Sequence, residues 1–303
     1  MKVLHVSATA VAGAPYFWSE CFNKYSDGAI ESRCFSQIWT YPDGRGFPRD
    51  IETDAEAREV MNAADVVLVH NLPPNGLRIP REKTKLIIHS RPNQVHPELL
   101  KTVPVAIIAQ HQTRFYRELK YSLVPNLIDL AFYSCPKRTG DILEVGYSPS
   151  FLKTAPKDDI TWDSNKGYEE TAKILSAVKG IRRTVLTGVP WKDMIQSARS
   201  ADVWIDECVT GSYHRSSLQA AAMEQVALNA AGGDALYNMA ALTGVTSTPF
   251  YFCVLNQLKA RLEAMSGNVD TTRRRGLLAR MWMERHWNPT TLIENHFLPF
   301  LTK

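Results

Sequence analysis

Ser216 and Ser217 stand where an apolar run, through a turn containing Gly211, gives way to an alanine-rich stretch: SADVWIDECVTGSYHRSSLQAAAMEQVALNA, residues 200–230. Serines at such a junction cap a helix, and the first amides of that helix, with its dipole, suit a phosphate. Tyr213 and Arg215 flank the junction, and Gln219, one turn on, can both donate and accept hydrogen bonds. Read locally, the same residues also describe an ordinary capped helix. Two histidines close apolar runs, His70 in VVLVH and His89 in KLIIH. By themselves these read as polar strand edges. The segment HQTRFYRELKY, residues 111–121, places Arg114, Arg117 and Lys120 three residues apart beside Phe115, Tyr116 and Tyr121. On a helix such a face could follow phosphates and stack on bases, or be the wet side of an amphipathic helix. Gly13, in TAVAGAP, lies between the first expected strand and the first helix, where by itself it reads as part of an ordinary loop.

The elements that would position these residues alternate regularly. Strands are expected at Lys2–Ser7, Arg33–Ile38, Asp65–His70, Lys85–His89 and Val105–Ala109, with helices at Pro15–Tyr25, Asp54–Ala64, Pro97–Val103 and Gln112–Tyr121. After a break at Phe132–Gly140, strands recur at Asp141–Val145, Arg183–Thr187, Asp202–Asp206 and Val226–Asn229. Helices follow at Tyr168–Val178, Lys192–Ser200, Ser216–Gln225, Val254–Met265 and Thr272–Arg285. Continuously apolar strands alternating with helices predict parallel sheets covered on both faces. Two doubly wound α/β halves are the natural architecture, with ligands bound beyond the carboxyl ends of the strands. No GxGxxG follows any of these strands, which weighs against a dinucleotide-dependent oxidoreductase.

Four short motifs occur in order: VPNLID at Val124–Asp129, Val145-Gly146, Lys166-Gly167, and Ala201-Asp202-Val203 leading to Leu218-Gln219-Ala220-Ala221-Ala222 and Val226-Ala227-Leu228. Together they resemble the GT-B glycosyltransferases, in particular the retaining family 4. The resemblance implies two Rossmann-like domains facing a central cleft, with a C-terminal crossover helix. The acceptor-side domain would be 1–135, the nucleotide-sugar domain 136–285, and 286–303 a last helix, Pro289–Leu301, returning to the first domain. It further implies transfer of a hexose from a nucleoside-diphosphate sugar, with UDP-glucose or another UDP-sugar as donor. Configuration would be retained, with neither metal nor resident cofactor. The residues it points to are His89, Lys166 and Arg215 for catalysis. Gly13, Lys166, Tyr213, Arg215, Ser216, Ser217 and Gln219 would bind the donor, and His70, His89, Arg114 and Arg117 the acceptor. The chain departs from the family's E-x7-E motif, which falls here on Gly211 and Gln219, and Asp206 or Glu207 would have to serve in place of the first glutamate. A non-catalytic nucleotide- or glycan-binding relative is therefore a second reading.

With 303 residues, 45% of them hydrophobic and 22% charged, the chain can bury two full cores. Its longest apolar runs fall short of the ~20 residues of a membrane span, and its first residues read as a strand, so a cytoplasmic protein is expected, of the host cell if viral. Five dispersed cysteines without CxxC read as reduced core thiols. A net charge of +4 is compatible with a polyanionic partner. Among the acceptors that the resemblance implies, this charge and the basic-aromatic segment favour a hydroxymethylated pyrimidine in DNA, with a polysaccharide or small molecule as the alternative.

Overall fold

The structure is a computed structural model that describes residues 1–42, 44–134, 138–149 and 167–303. Two compact units divide the chain. One comprises Met1–Pro42, Gly46–Asp129 and Asn288–Lys303, the other Leu130–Trp287 with the short stretch 43–45.

The first unit is built on six parallel strands: β1 (Lys2–Thr9), β2 (Glu31–Ile38), β3 (Val66–His70), β4 (Thr84–Ile88), β5 (Val105–Ile108) and β6 (Ser122–Val124), in the order β2-β1-β3-β4-β5-β6. Every residue of β3, β4 and β5 is buried, as the unbroken runs VVLVH and VAII require of a sheet covered on both faces. Helices α1 (Ala14–Tyr25), α2 (Asp54–Ala63) and α3 (Pro97–Thr102) connect them. Thr53 starts α2 by accepting the Glu56 N–H at 3.2 Å. The helix expected over Gln112–Tyr121 does not form. Only a 3-10 turn, His111–Phe115, is present, and the chain then turns into β6, a three-residue strand too short to announce itself in the sequence.

The C-terminal segment also differs from the single helix expected. It comprises α10 (Pro289–Leu292), a π-helical turn (Ile293–Phe297) and α11 (Leu298–Thr302). Pro299 explains the break, because its ring cannot fit a regular α-turn or donate to it, and the backbone widens just before it. Phe297 is thereby set against Trp18 and Phe22 of α1, with ring centroids 5.0 and 5.1 Å apart.

The second unit carries β7 (Leu143–Tyr147), β8 (Ile181–Val185), β9 (Val203–Glu207), β10 (Val226–Asn229) and β11 (Phe250–Phe252), all parallel, in the order β11-β10-β9-β7-β8. Its helices are α4 (Tyr168–Ala177), α5 (Trp191–Ala198), α6 (Arg215–Ala222), α7 (Gly233–Thr243), α8 (Leu258–Ser266) and α9 (Val269–His286). Strand β11 and helix α7 were not legible in the sequence. Two glycines are set by close approach. A Cβ on Gly146 would lie 2.3 Å from the Trp204 ring, and one on Gly276 of α9 would lie 2.0 Å from the Glu224 carbonyl oxygen. Arg273, which its neighbours in the Arg273-Arg274-Arg275 run suggest is solvated, instead binds the buried Asp202 at 2.8 Å. Cys21, Cys34, Cys208 and Cys253 are buried free thiols, as expected, with Cys208 just after β9 and Cys253 just after β11. Among the described residues, no helix is long and apolar enough to cross a membrane.

Candidate functional site

In the second unit the strand order reverses about β7. The chain leaves β7 toward β8 on one side, whereas β9 leads through α6 to β10 on the other. A crevice opens at the carboxyl ends of strands at such a point, and helix N-termini face it. Here those are the starts of α4 and α6. Gly167 caps α4 with a φ of 66°, and a Cβ there would lie 2.9 Å from Val209 in the loop after β9. A side chain at 167 would push the start of α4 off that loop. Tyr147, at the end of β7, stacks on Tyr168 in the first turn of α4, with centroids 6.5 Å apart.

The loop from β9 to α6 is organised by two fully buried carboxylates. Glu207 accepts the N–H groups of Val209, Thr210 and Ser212 at 2.9, 2.5 and 3.1 Å. Asp206 accepts the His214 N–H at 2.6 Å, the Ser216 hydroxyl at 2.5 Å and the Ser217 hydroxyl at 2.7 Å, with His214 Nδ1 at 3.3 Å. A charge taken wholly out of water must find this many donors. Both side chains hold the loop in place. Gly211 has a φ of 77° and supplies a turn at that position.

The serines do not cap α6. His214, extended, is the cap residue and its side chain makes no capping bond, while Ser216 and Ser217 lie inside the first turn with hydroxyls aimed back at Asp206. Asn229, at the end of β10, extends the network by donating to Ser217 Oγ at 2.8 Å. Spacing alone does not reveal it. Arg215 opens the helix and is only 9% exposed. Gln219 is buried and donates to the Tyr133 hydroxyl at 2.8 Å. Tyr213, expected at the donor, is 1% exposed with its ring on Phe250, so its side chain belongs to the core. Lys166 lies outside the described residues.

In the first unit the corresponding reversal falls between β1 and β3. The loop after β1 runs through three consecutive residues of positive φ, Val11 (45°), Ala12 (52°) and Gly13 (77°). The first two are strained there, and such strain collects at functional sites. A Cβ on Gly13 would meet Phe17 at 2.3 Å, so the position admits glycine alone.

His70, the last residue of β3, and His89, the residue after β4, are brought together by strand pairing. His70 Nδ1 lies 2.8 Å from His89 Nε2. A third histidine, which the sequence did not single out, completes a row: His5 Nδ1, inside β1, lies 2.9 Å from His70 Nε2. Burial lowers the His5 pKa to about 3 and holds His70 well below the ordinary histidine value, so both are neutral. The His89 backbone is clamped as well, its N–H donating to Asn71 Oδ1 at 2.7 Å and its carbonyl accepting from Gln112 Nε2 at 3.0 Å. Beside it, Arg91 and Arg114 both lie over the Phe115 ring, 5.2 and 4.9 Å from its centroid. Arg117 is exposed beyond the 3-10 turn, so Arg114, Arg117 and Lys120 share no helical face. Among the described residues, no group of three or more His, Cys, Asp or Glu side chains could hold a metal ion.

No family model and no curated protein matches the sequence. Solved structures do. An α-glucosyltransferase in complex with UDP and a 13-mer DNA containing an HMU base aligns over 100% of this chain and 99% of its own, with a TM-score of 0.65 at 8% identity. HepE of Anabaena, in complex with UDP, aligns over 100% of both chains with a TM-score of 0.56 at 12% identity. TarM of S. aureus, in complex with UDP among other ligands, aligns over 82% of this chain and 58% of its own, with a TM-score of 0.52 at 9% identity. The chain has the GT-B fold. In a GT-B chain each Rossmann-like unit presents the carboxyl ends of its strands to ligands. Here those ends carry the strained Val11–Gly13 loop and the histidine row in one unit, and Arg215 with the first turn of α6 in the other.

Proposed function

We propose that this chain is a nucleotide-sugar-dependent glycosyltransferase that moves a hexose, with retention of configuration, from a UDP-sugar to the hydroxyl of a hydroxymethylated pyrimidine in DNA. The observation that carries the transferase reading is the start of α6 at the reversal point of the second sheet. A buried arginine opens that helix, and the loop before it is held by Asp206 and Glu207. In this reading Arg215, the amides of that first turn and Lys166 bear the charge that grows on the departing diphosphate, the main electrostatic demand of the reaction. Gln219 hydrogen-bonds the ribose. His89 and the Gly13 loop address the sugar, and His70 stands behind His89.

The DNA acceptor is supported by two things. Arg91 and Arg114 converge on Phe115 beside His89, a cationic and aromatic surface of the kind that follows phosphates and stacks on bases. Several of the structures this chain resembles are α-glucosyltransferases in complex with DNA. A polysaccharide or small-molecule acceptor is the second reading, since TarM, which shares the fold, is in complex with Fondaparinux and α-GlcNAc-glycerol.

The test is transfer from labelled UDP-, GDP- and ADP-sugars to unmodified DNA, hydroxymethylated DNA and a panel of saccharides. Label on hydroxymethylated DNA from a UDP-sugar is the expected result. Label on saccharides alone would replace the acceptor and keep the enzyme. Neither transfer nor hydrolysis, with no nucleotide-induced thermal shift, would leave a non-catalytic relative.

A further inference from the structure

The histidine row contains more hydrogen-bonding capacity than a single sugar contact needs. Three rings are joined by two short nitrogen–nitrogen contacts, His5 Nδ1 to His70 Nε2 at 2.9 Å and His70 Nδ1 to His89 Nε2 at 2.8 Å. Each contact needs one proton between its two nitrogens. His5 and His70 are neutral with one N–H each, and His89 holds at least one more. Two are used inside the row, and the third must sit at one of its ends.

The ends are not equivalent. His5 Nε2 is fully buried and has no hydrogen-bond partner among the described residues. Its ring packs against Phe22, 5.2 Å away between centroids. His89 sits half-buried at the carboxyl edge of the sheet. An N–H buried without an acceptor is the rarer defect, and an unfilled acceptor is better tolerated. The third proton therefore belongs at the His89 end. The row then reads in one direction: His5 Nδ1–H donates to His70, His70 Nδ1–H donates to His89 Nε2, and His89 carries its own proton on Nδ1.

We propose that His70, backed by His5, is a positioning residue that fixes the ring tautomer of His89, so that His89 presents Nδ1–H as a hydrogen-bond donor to an oxygen of the transferred sugar. The sugar contact rests on the glycosyltransferase reading above, whereas the tautomer is a property of the unliganded protein. Trp18 holds the stack in place, its ring 5.3 Å from His70 and 5.2 Å from His89 between centroids. With the backbone of His89 clamped by Asn71 and Gln112, the ring can neither turn away nor exchange its proton position without breaking the row. A free imidazole interconverts its tautomers; one whose other nitrogen is bonded to a fixed donor does not.

Long-range proton–nitrogen NMR of the histidine rings, on the full chain without ligand, tests this directly. In the wild type, His89 is expected as a single tautomer with the proton on Nδ1. In His70→Phe, a nearly isosteric change in an apolar setting, His89 should become a mixture of tautomers. In His70→Asn, whose amide nitrogen falls near the position of Nδ1, the single tautomer should return. Turnover should follow the tautomer. It should fall on the order of tenfold in His70→Phe, as when the partners orienting a functional histidine are removed, and recover in His70→Asn, with KM for the UDP-sugar little changed in both.

A wild-type His89 protonated on Nε2, or an unaltered tautomer in His70→Phe, would overturn the proposal. The wild-type spectrum decides even if the phenylalanine variant fails to fold. If the tautomer responds as expected and no form of the protein transfers sugar, the glycosyltransferase reading fails and the row stands.

Discussion

At the residue scale, the loop between β9 and α6 depends on Asp206 and Glu207. Each carboxylate is surrounded by donors from its own loop, and Arg215 opens the helix that follows. Replacing Arg215 by alanine should weaken UDP binding tenfold or more, on the order of one charge-assisted hydrogen bond of ~1.5–3 kcal/mol. Arg215→Lys should fall between, since lysine keeps the charge without the planar fork. Isothermal titration calorimetry with UDP measures both, and equal affinity in all three proteins would remove Arg215 from the donor site. The sequence made Arg215 and the serines visible as a group. It could not show that the serine hydroxyls turn back onto Asp206, because that depends on the path of a loop whose shape Glu207 sets.

At the scale of elements, α6 is fixed at both ends. Its start is tied to β9 through Asp206. Its last carbonyls, on Ala222, Met223 and Glu224, accept from Arg280 at 2.6 Å and Arg138 at 2.5 and 3.0 Å, cations placed where the helix dipole favours them. Helix α9 crosses close to this end at Gly276. Alanine inside a helix ordinarily gains ~1 kcal/mol over glycine. Here the added methyl would sit 2.0 Å from the Glu224 carbonyl oxygen, and the helices would have to separate. Gly276→Ala should therefore destabilise the protein by about 2 kcal/mol, the usual size of an overpacking penalty. Urea unfolding is the check, and a gain in stability would mean that α9 does not pack on α6 in this way. The Arg273–Asp202 pair joins the same helix to the start of β9, across 71 positions of sequence. Asp202 is the acidic residue of the ADV motif, and its carboxylate also accepts the Glu144 N–H at 3.0 Å. The motif is thus legible as a strand start, but its partner on α9 is not.

At the scale of the whole molecule, the neutral buried histidines bear on stability as a function of pH. The folded-state pKa of His5, about 3, lies below the unfolded value of 6.5, so between those limits the unfolded chain binds the extra proton. The contribution is complete above pH 6.5 and is lost as pH falls toward 3, with a limiting slope of about 1.4 kcal/mol per pH unit for each proton. His70 shifts in the same direction, by burial first and then by the neighbouring His89 and His5. The wild type should therefore lose stability on acidification more steeply than His5→Phe across this window, as followed by denaturant unfolding at several pH values. Parallel curves would mean that His5 is not buried in the native state.

The sequence by itself determined the alternation of strands and helices, the parallel sheets, the restart of the pattern in the second half, and the sites of Arg215, His70 and His89 at strand and helix ends. Those follow from local rules, since apolar periodicity reports which backbone is buried and a strand end is where a covered sheet meets solvent. Only the tertiary structure decided that His5 joins His70 and His89, that Asp202 binds Arg273, that Tyr213 faces the core, and that residues 112–121 turn rather than form a helix. Each of these depends on which strands lie side by side and in what register. Spacing along the chain does not encode which distant element will supply a side chain's partner.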